Sequence, residues 1–384
     1  MNILHVAPYF PSKHAKHAGG VTMGLEVETL RNLGHKVYSL SFVQVKHDYD
    51  IYQSGKTEND IAIKINGIRK FVNFLKHPLY PIEIATRIDS RFEKLVNECL
   101  RTHKIDFIHA EYASMIWLVK MKKKYDVKFA AVLHDVYAQN FQRKVQTSGN
   151  LIKRILYKIE LIKIKRYEKK FLSKCDAVMS FSDKDKKLIK DLYGVDSLRI
   201  NLFYDFDYIK KAKESYCRKD DGYVAIFFMG QMGRKENNDA ALRLIKIFSK
   251  LKIDKTKLYI IGVNPSDSLL RCASSDIVVT GYVENIEKFI IENCDVACFP
   301  LLNGAGVKIK VLESLMLGVP VITNEIGAEG IDENGECLVL AESDQEFERR
   351  IRDVVEKKLN VSSCLRQDFS WDVTEKVFRD IYGK

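Results

Sequence analysis

The 384-residue sequence predicts an α/β protein with two domains, each built on a parallel β-sheet. Short apolar segments with the composition of buried strands alternate with helical segments, which is the pattern of βαβ units. A polar, charged stretch at 199–222 interrupts this alternation, and a second alternating set follows it. The length also suits two domains of ordinary size. We therefore place one domain at 1–205 and the other at 206–365.

Predicted strands occur at regular intervals in both domains. In the first domain they are NILHVAPYF (2–10), KVYSLSFV (36–43), DFIHAEY (106–112), KFAAVLHDVY (128–137) and CDAVMSFS (175–182). In the second they are YVAIFFMG (223–230), KLYIIGV (257–263), IVVTGYV (277–283), VACFPLL (296–302) and VPVITN (319–324). Helical stretches separate them, so the strands should be parallel. Such sheets bind ligands at the carboxyl ends of their strands, and we expect a ligand in a cleft there.

The segment NGAGVKIKVLESLMLGVPVIT, residues 303–323, carries the clearest functional signal. It predicts a glycine loop at Gly304-Ala305-Gly306, a helix over 307–317 and a strand at 321–323. A loop of this kind presents free backbone N–H groups and the positive end of a helix dipole at one point. That arrangement favours an anion, above all a phosphate.

Three charged side chains of this segment are candidate ligand-binding groups. Lys308 is expected to contact a phosphate, because a cation in the first turn of a helix opposes the dipole unless an anion is bound there. Lys310 could share that contact, or it could be a solvated lysine paired with Glu313. Glu313 could accept two hydrogen bonds from vicinal hydroxyls, such as those of a ribose.

Further candidates follow strands of the first domain. Gly19 and Gly20 open a helix and could approach a phosphate; the alternative is a plain helix-start turn, and GxGxxG is absent. His134 lies just past a buried strand, where it could bind a sugar or phosphate or position a proton, although a lone histidine is often structural. Asp135 could orient His134 or cap the next turn.

A basic amphipathic helix is predicted at 151–175. The segment carries nine Lys or Arg against two Glu, and its apolar residues between Ile152 and Ile162 recur at helical spacing. The helix could dock on an anionic membrane surface, or its apolar face could belong to the core. The residues assigned to docking are Lys153, Arg154, Lys158, Lys163, Lys165, Arg166, Lys169 and Lys170.

The overall composition limits the partners and the location. The net charge of +11 favours an anionic partner, but no helix-turn-helix, zinc-finger or RNP pattern indicates nucleic acid. The sequence contains no run of about 18 apolar residues, so we expect no membrane-spanning helix. The first residues lack a signal-peptide pattern. We expect a cytoplasmic protein, peripheral on the inner membrane face if the basic helix docks.

Metal binding is not expected. Two DxD triplets resemble a known metal–diphosphate motif, but 48–50 is predicted to lie in a polar loop and 205–207 in the linker, so neither ends a buried strand. The eight cysteines lack the paired spacing of a metal site. We therefore predict neither a metal nor a cofactor.

The segment NGAGVKIKVLESLMLGVPVITNEIGAEGI resembles the donor site of the retaining family 4 glycosyltransferases, in a subgroup with a GAGxKxKxLE motif. The likeness extends over nearly the whole chain, through FFMGQMGRKENNDAAL (227–242), LHDV (133–136) and the FSWDVTEKVFRDIY tail (369–382). The resemblance implies the GT-B fold, in which two Rossmann-like domains face each other across a cleft. It also implies that residues 366–384 cross back to the first domain.

The resemblance further implies a nucleotide-sugar donor, UDP- or GDP-linked, held mainly by the second domain. Glu313 would bind the ribose, Lys308 the diphosphate and His134 the sugar, which makes Lys308 and His134 the expected catalytic residues. The implied donor-binding residues are Gly19, Gly20, Arg234, Tyr282, Val283, Gly304, Ala305, Gly306, Lys308 and Glu313.

The implied activity is a metal-independent, retaining, hexosyltransferase-type reaction with a glycan or lipid-linked acceptor in cell-surface polysaccharide synthesis. Fixed donors would stabilise the leaving diphosphate. Two positions depart from the family pattern: Ala305 replaces the first Glu of its E-x7-E pair, and Gln231 stands where many members have Arg. A non-catalytic nucleotide-sugar-binding partner subunit is therefore the alternative.

Overall fold

The computed structural model describes residues 1–384 apart from 16–17, 45, 203–205, 220, 305, 332–336, 357–370 and 384. The contacts between residues divide the chain into two compact units. One comprises Met1–Phe203 and Phe369–Lys384, and the other comprises Tyr204–Asp368. Each unit contains one parallel sheet flanked by helices, which confirms the predicted α/β class.

The first unit has a seven-stranded parallel sheet. Its strands are Asn2–Ala7 (β1), Lys36–Val43 (β2), Asp60–Lys64 (β3), Phe107–Glu111 (β4), Lys128–Leu133 (β5), Ala177–Ser180 (β6) and Leu198–Arg199 (β7), in the spatial order β3-β2-β1-β4-β5-β6-β7. Its first helices are Ala18–Asn32 (α1), Lys46–Gly55 (α2), Gly67–Lys76 (α3), Ile82–Ala85 (α4), Ser90–Thr102 (α5), Lys120–Tyr125 (α6), Tyr137–Thr147 (α7), Leu151–Leu172 (α8) and Asp183–Tyr193 (α9), with a 3₁₀ helix at Ala113–Val119. The order reverses between β1 and β4, and ligands of such sheets bind at the carboxyl ends of these two strands.

The second unit has a six-stranded parallel sheet with the same type of order. Its strands are Val224–Met229 (β8), Thr256–Ile261 (β9), Ile277–Gly281 (β10), Val296–Phe299 (β11), Val321–Thr323 (β12) and Leu338–Leu340 (β13), in the order β10-β9-β8-β11-β12-β13. Its helices are Phe206–Ser215 (α10), Lys235–Leu251 (α11), Asp267–Leu270 (α12), Ile286–Asn293 (α13), Ile309–Met316 (α14) and Asp344–Val355 (α15). Here the order reverses between β8 and β11.

The central strands form because their residues are apolar on both faces, as a sheet covered on both sides requires. All of β4, and all of β5 except Lys128, is buried. The 3₁₀ helix after β4 is also buried along its whole length and places Trp117 in the core. Phe42 of β2 stacks on Phe92 of α5, with ring centroids 4.5 Å apart.

The last helix, Trp371–Tyr382 (α16), belongs to the first unit. Trp371 Nε1 donates a hydrogen bond of 2.8 Å to Oγ1 of Thr29 in α1. The hydroxyl of Tyr382, a fully buried residue, lies 2.6 Å from Nδ1 of His109 in β4. The C-terminal helix therefore completes the core of the first unit.

One DxD triplet lies in a helix, which corrects the prediction of a polar loop. Residues 48–50 belong to α2, because the tyrosines of this helix pack inward. The ring centroid of Tyr52 lies 5.1 Å from that of Phe10 in an edge-to-face arrangement, and that of Tyr49 lies 6.2 Å from that of Tyr52. The other triplet begins at Asp205, outside the described residues.

A buried glutamate joins α8 to α9. Glu168 of α8 is fully buried, and the hydroxyl of Tyr193 donates a hydrogen bond to its Oε2. Burial raises the pKa of Glu168 from 4.5 to about 8. The folded protein therefore keeps a proton that the unfolded chain releases above pH 4.5, so stability falls as the pH rises from 4.5 towards 8.

We expect Glu168→Gln to remove this part of the pH dependence, because glutamine keeps an acceptor oxygen and does not ionise. Between pH 5 and pH 8 the wild type should lose on the order of 3 kcal/mol more stability than the variant. Urea unfolding at both pH values measures the difference, with Glu98→Gln, at an exposed position of α5, as the control. Equal losses in wild type and Glu168→Gln would show that Glu168 holds no such proton.

Candidate functional site

In the second unit the glycine loop leads into α14, but the helix is shorter than predicted. It spans Ile309–Met316 rather than 307–317, because Lys308, its N-cap residue, keeps an extended backbone with φ −90° and ψ 99°. Gly304 and Gly306 have φ values of 142° and 70°, which residues with side chains rarely adopt. Ala305 lies outside the described residues.

Lys310, in the first turn of α14, turns inward to the carboxyl ends of two strands. Its Nζ lies 4.5 Å from the ring centre of Phe228 in β8 and 5.6 Å from that of Phe299 in β11. The same Nζ lies 2.7 Å from Oδ1 of Asn237 in α11. Lys310 is therefore not a solvated surface lysine. Because the sheet order reverses between β8 and β11, it occupies the position where such sheets bind ligands.

The surroundings of Lys310 make its amine sensitive to a bound anion. Burial, together with the positive charges of Arg234 and Lys308, lowers its pKa from 10.5 to about 7. At neutral pH the amine is therefore only partly protonated. A phosphate bound here would restore the charged form, and perturbed lysines of this kind are typical of functional sites.

Lys308 folds back over the glycine loop. Its Nζ donates a hydrogen bond to the carbonyl oxygen of Gly306, and it lies 3.4 Å from Oε2 of the buried Glu329. The loop thus brings two lysines close together. Lys310 faces the strand ends, whereas Lys308 contacts Glu329.

The other predicted donor-binding residues of this unit lie on several elements. Arg234 is the N-cap residue of α11 and is close enough to Lys310 to lower its pKa. Tyr282 and Val283 follow β10, and the side chain of Tyr282 is exposed. Glu313 lies near the middle of α14 and is half-buried. The structure therefore brings Arg234 and the lysines together and places Tyr282 on a different loop.

In the first unit a buried carboxylate contacts three histidines. Glu111, the last residue of β4, has its Oε2 2.8 Å from Nε2 of His134. Its Oε1 lies 3.0 Å from Nε2 of His109 and 3.3 Å from Nε2 of His5. His134 directly follows β5, so Glu111 holds the imidazole of the one predicted site histidine. The signal that could have found Glu111 is the same one that identified His134, a polar residue where an apolar strand ends.

The protonation states of this cluster follow from its burial and its charges. Burial alone would raise the pKa of Glu111, but Glu26 and the histidines hold it well below its usual value. Burial and the negative charge of Glu111 raise the pKa of Glu26 well above 4.5. Burial lowers the pKa of His109, but Tyr382, Glu111 and Glu26 outweigh this effect and raise it. Glu111 is therefore ionised, and Glu26 is protonated.

The residue after Glu111 has an unusual backbone conformation that supports His134. Tyr112 has a φ of 63°, which bulky residues rarely adopt. Its ring stacks on that of His134, with centroids 3.8 Å apart and planes 4° from parallel. A Cβ on Gly19 would lie 1.9 Å from the Tyr112 hydroxyl, so this packing alone requires a glycine. Gly20 is buried, and its carbonyl accepts a hydrogen bond from the Ser12 N–H.

Within the described residues, His5, His109 and Glu111 are the group that could hold a metal ion, since their ligand atoms all lie within 4.8 Å of one another. All three are fully buried. The other ring nitrogens also have partners, because Nδ1 of His5 lies 3.4 Å from Oγ of Ser39 and Nδ1 of His109 contacts Tyr382. Hydrogen bonds alone explain the orientation of each ring.

Each of the two units matches the model of a known protein family. Residues 23–205 match the model described as Glycosyltransferase Family 4, and residues 224–357 match the one described as Glycosyl transferases group 1. The chain belongs to the family 4 glycosyltransferases. The resemblance seen in residues 303–331 is thereby confirmed.

Similar solved structures and one relative span the whole glycosyltransferase. Sucrose-phosphate synthase from Thermosynechococcus elongatus has a TM-score of 0.72 at 12% identity and covers 100% of this chain and 98% of its own. Anabaena HepE, solved in complex with UDP, has a TM-score of 0.68 at 10% identity and covers 100% of both chains. These structures confirm the GT-B fold. An "uncharacterized 44.6 kDa protein in cps region" from Klebsiella pneumoniae is 23% identical and covers 96% of both chains.

The predicted basic helix of this glycosyltransferase is α8, and the apolar residues of its N-terminal half are exposed. The expectation that these residues could belong to the core is wrong, because the buried residues of α8 begin at Ile164. Among the predicted docking residues, Lys163 and Lys165 are partly buried, and the exposed ones are Lys153, Arg154, Lys158, Arg166, Lys169 and Lys170. In the described part of the chain, no helix combines the length and apolar character needed to span a membrane.

A basic cavity lies at the carboxyl ends of β2 and β3 of the glycosyltransferase. Asp89 pairs with Arg69 at 3.0 Å and with Arg91 at 2.9 Å, and Nζ of Lys64 lies 3.7 Å from the ring centre of Tyr49. A cavity with an excess of positive charge suits an anionic ligand. Its basic lining residues are Lys46, Lys64, Arg69 and Arg91.

Proposed function

We propose that this glycosyltransferase moves a sugar from a nucleotide-sugar donor to a glycan or lipid-linked acceptor in cell-surface polysaccharide synthesis, with retention of configuration and without a bound metal. The observation that carries the proposal is the inward position of Lys310 at the ends of β8 and β11, beside a glycine loop. UDP in the HepE structure supports a nucleotide donor. The relative from the cps region supports a role in polysaccharide synthesis.

In this proposal the leaving diphosphate binds to Lys310. Lys308, Arg234 and the loop amides add positive potential at the same place. Glu313 holds the ribose. Negative charge grows on the diphosphate as its bond to the anomeric carbon breaks, and fixed cations stabilise it without reorganisation. The acceptor oxygen forms its bond on the face that the diphosphate leaves. A diphosphate oxygen takes the acceptor proton, so no protein nucleophile is needed.

His134 has a positioning role towards the sugar in the same proposal. Glu111 is ionised and accepts a hydrogen bond from Nε2 of His134 at 2.8 Å. This contact fixes the tautomer in which Nδ1 carries the lone pair. Nδ1 can then accept a hydrogen bond from a sugar hydroxyl.

The candidate binding site for the acceptor is the basic cavity near Lys64.

We expect one nucleotide class to stabilise the protein in a thermal-shift panel of UDP, GDP, ADP and CMP, each alone and with common sugars attached. A ligand at about 100 times its Kd adds roughly 2.7 kcal/mol. Glu313→Ala should weaken binding of that nucleotide by about tenfold, because two hydrogen bonds to the ribose are lost. No shift with any nucleotide would contradict the proposal. Binding without turnover would favour the non-catalytic partner subunit.

A further inference from the structure

The first unit exposes large apolar side chains on two segments, residues 68–82 and 151–162, which together we call the docking surface. In the first segment Phe71 is 61% exposed and Leu79 is 87% exposed. The second segment, the N-terminal part of α8, carries six large apolar residues that are each at least 45% exposed, with Ile152 at 71%. Apolar groups gathered in this way on a protein surface mark an interaction site.

The two segments are fixed against each other. Nζ of Lys163 in α8 donates a hydrogen bond of 2.9 Å to the carbonyl oxygen of Pro78. The backbone N–H of Ile82 donates one of 2.9 Å to Oε2 of Glu160. The docking surface is therefore one continuous feature rather than two unrelated patches.

The charges of the docking surface match an anionic partner. Residues 151–159 contain three basic side chains, Lys153, Arg154 and Lys158, and no acidic one. All three are exposed and alternate with the apolar residues of the same helix. Long basic side chains can keep their charge at the level of phosphates while their stems and the neighbouring apolar residues enter a less polar layer.

A lipid surface fits these observations better than a second copy of the chain. A symmetric dimer through the docking surface would bring the same three cations of both copies into one interface, which is unfavourable. Ile68 and Arg69, at one end of the docking surface, also line the basic cavity. The positive charges on α8 and in that cavity would therefore both attract a phosphate at the membrane surface.

We propose that the docking surface binds an anionic membrane, with its apolar residues at the boundary between the head groups and the acyl chains. The biological purpose, access to a lipid-linked acceptor, rests on the proposed function. The binding itself does not, since vesicle binding needs neither donor nor turnover. A failure of membrane binding can therefore be distinguished from a failure of sugar transfer.

The test is sedimentation of the full-length protein with vesicles of phosphatidylcholine alone and of phosphatidylcholine with 30% phosphatidylglycerol. We expect binding to the anionic vesicles to be about 100-fold tighter, because each of the three basic residues near the lipid contributes roughly fivefold. A charge variant carries Lys153→Glu, Arg154→Glu and Lys158→Glu. An apolar variant carries Phe71→Ser, Leu79→Ser and Ile152→Ser. A control with the same change of net charge, on the second unit, carries Lys246→Glu, Lys250→Glu and Lys255→Glu.

The charge variant should lose at least about 100-fold in affinity for the anionic vesicles, and the apolar variant at least about tenfold, while the control keeps most of its binding. All altered side chains are exposed, so the melting temperatures should match that of the wild type. If the control loses as much affinity as the charge variant, net charge alone explains the effect and the proposal is overturned. So would wild-type protein that stays in the supernatant, or a dimer in solution that both docking-surface variants abolish.

Discussion

Replacing Lys310 with methionine is expected to lower kcat by at least about 100-fold, because loss of one group that stabilises developing charge costs about 10² to 10³ in rate. Methionine has a similar length and can pack between Phe228 and Phe299, so the fold should persist. Since the pKa of Lys310 is about 7, the fraction of charged amine falls above pH 7. The wild type should then bind the nucleotide more weakly at pH 8.5 than at pH 7, by up to about tenfold per pH unit.

Calorimetric titration of the nucleotide at the two pH values, together with steady-state kinetics, measures both effects. The variant should bind weakly and with little pH dependence. Lys246→Met, on an exposed position of α11, is the matched control and should behave as the wild type does. A Lys310→Met enzyme with normal kcat and a normal pH dependence would remove this amine from the phosphate site.

Glu111→Gln is expected to lower kcat by about 100-fold while changing the KM for the donor much less. The amide keeps the size of the side chain, but it no longer binds Nε2 of His134 as a carboxylate does. Small displacements of a positioning group can cost about 100-fold in rate. His134→Ala should have a similar effect, and the double variant should be little worse than either single one, because the two residues act as a unit.

Glu26→Gln is the matched control for this experiment. Glu26 lies in the same buried cluster and is already protonated, so a neutral amide should resemble it closely. Its kcat should stay within a few-fold of that of the wild type, and its melting temperature should change little. Additive losses in the Glu111→Gln, His134→Ala double variant would show that Glu111 does not act through His134.

The sequence was sufficient to predict the fold class, because the central strands are continuous apolar runs between helical segments. The segment KVYSLSFV corresponds to β2 residue for residue. The strands β3, β7 and β13 were not predicted, since they lie at sheet edges and their apolar stretches are only one to three residues long. The start of α14 was misplaced because Lys308 has a good helix-forming side chain but an extended backbone.

The candidate site was predicted only in part, because its key features depend on contacts between distant residues. Periodicity placed Lys310 in a helix but could not show that it turns towards Phe228 and Asn237. Glu111 could be recognised as the end of a strand, yet two of its histidine partners, His5 and His134, lie on or directly after other strands and far from it in the chain. The positive φ of Tyr112 has no sequence signature, since bulky residues seldom adopt it.

The assignment of α16 to the first unit has a consequence for biosynthesis. The ribosome releases the segment up to Phe203 long before it makes Trp371, and at 5–20 residues per second the delay is roughly 10 to 30 s. During that interval the nascent first unit lacks the tyrosine that contacts His109. The unit is therefore finished only after translation of α16, and premature termination between Phe203 and Trp371 leaves it incomplete. A stop codon shortly before α16 would then harm the part of the enzyme that was made first.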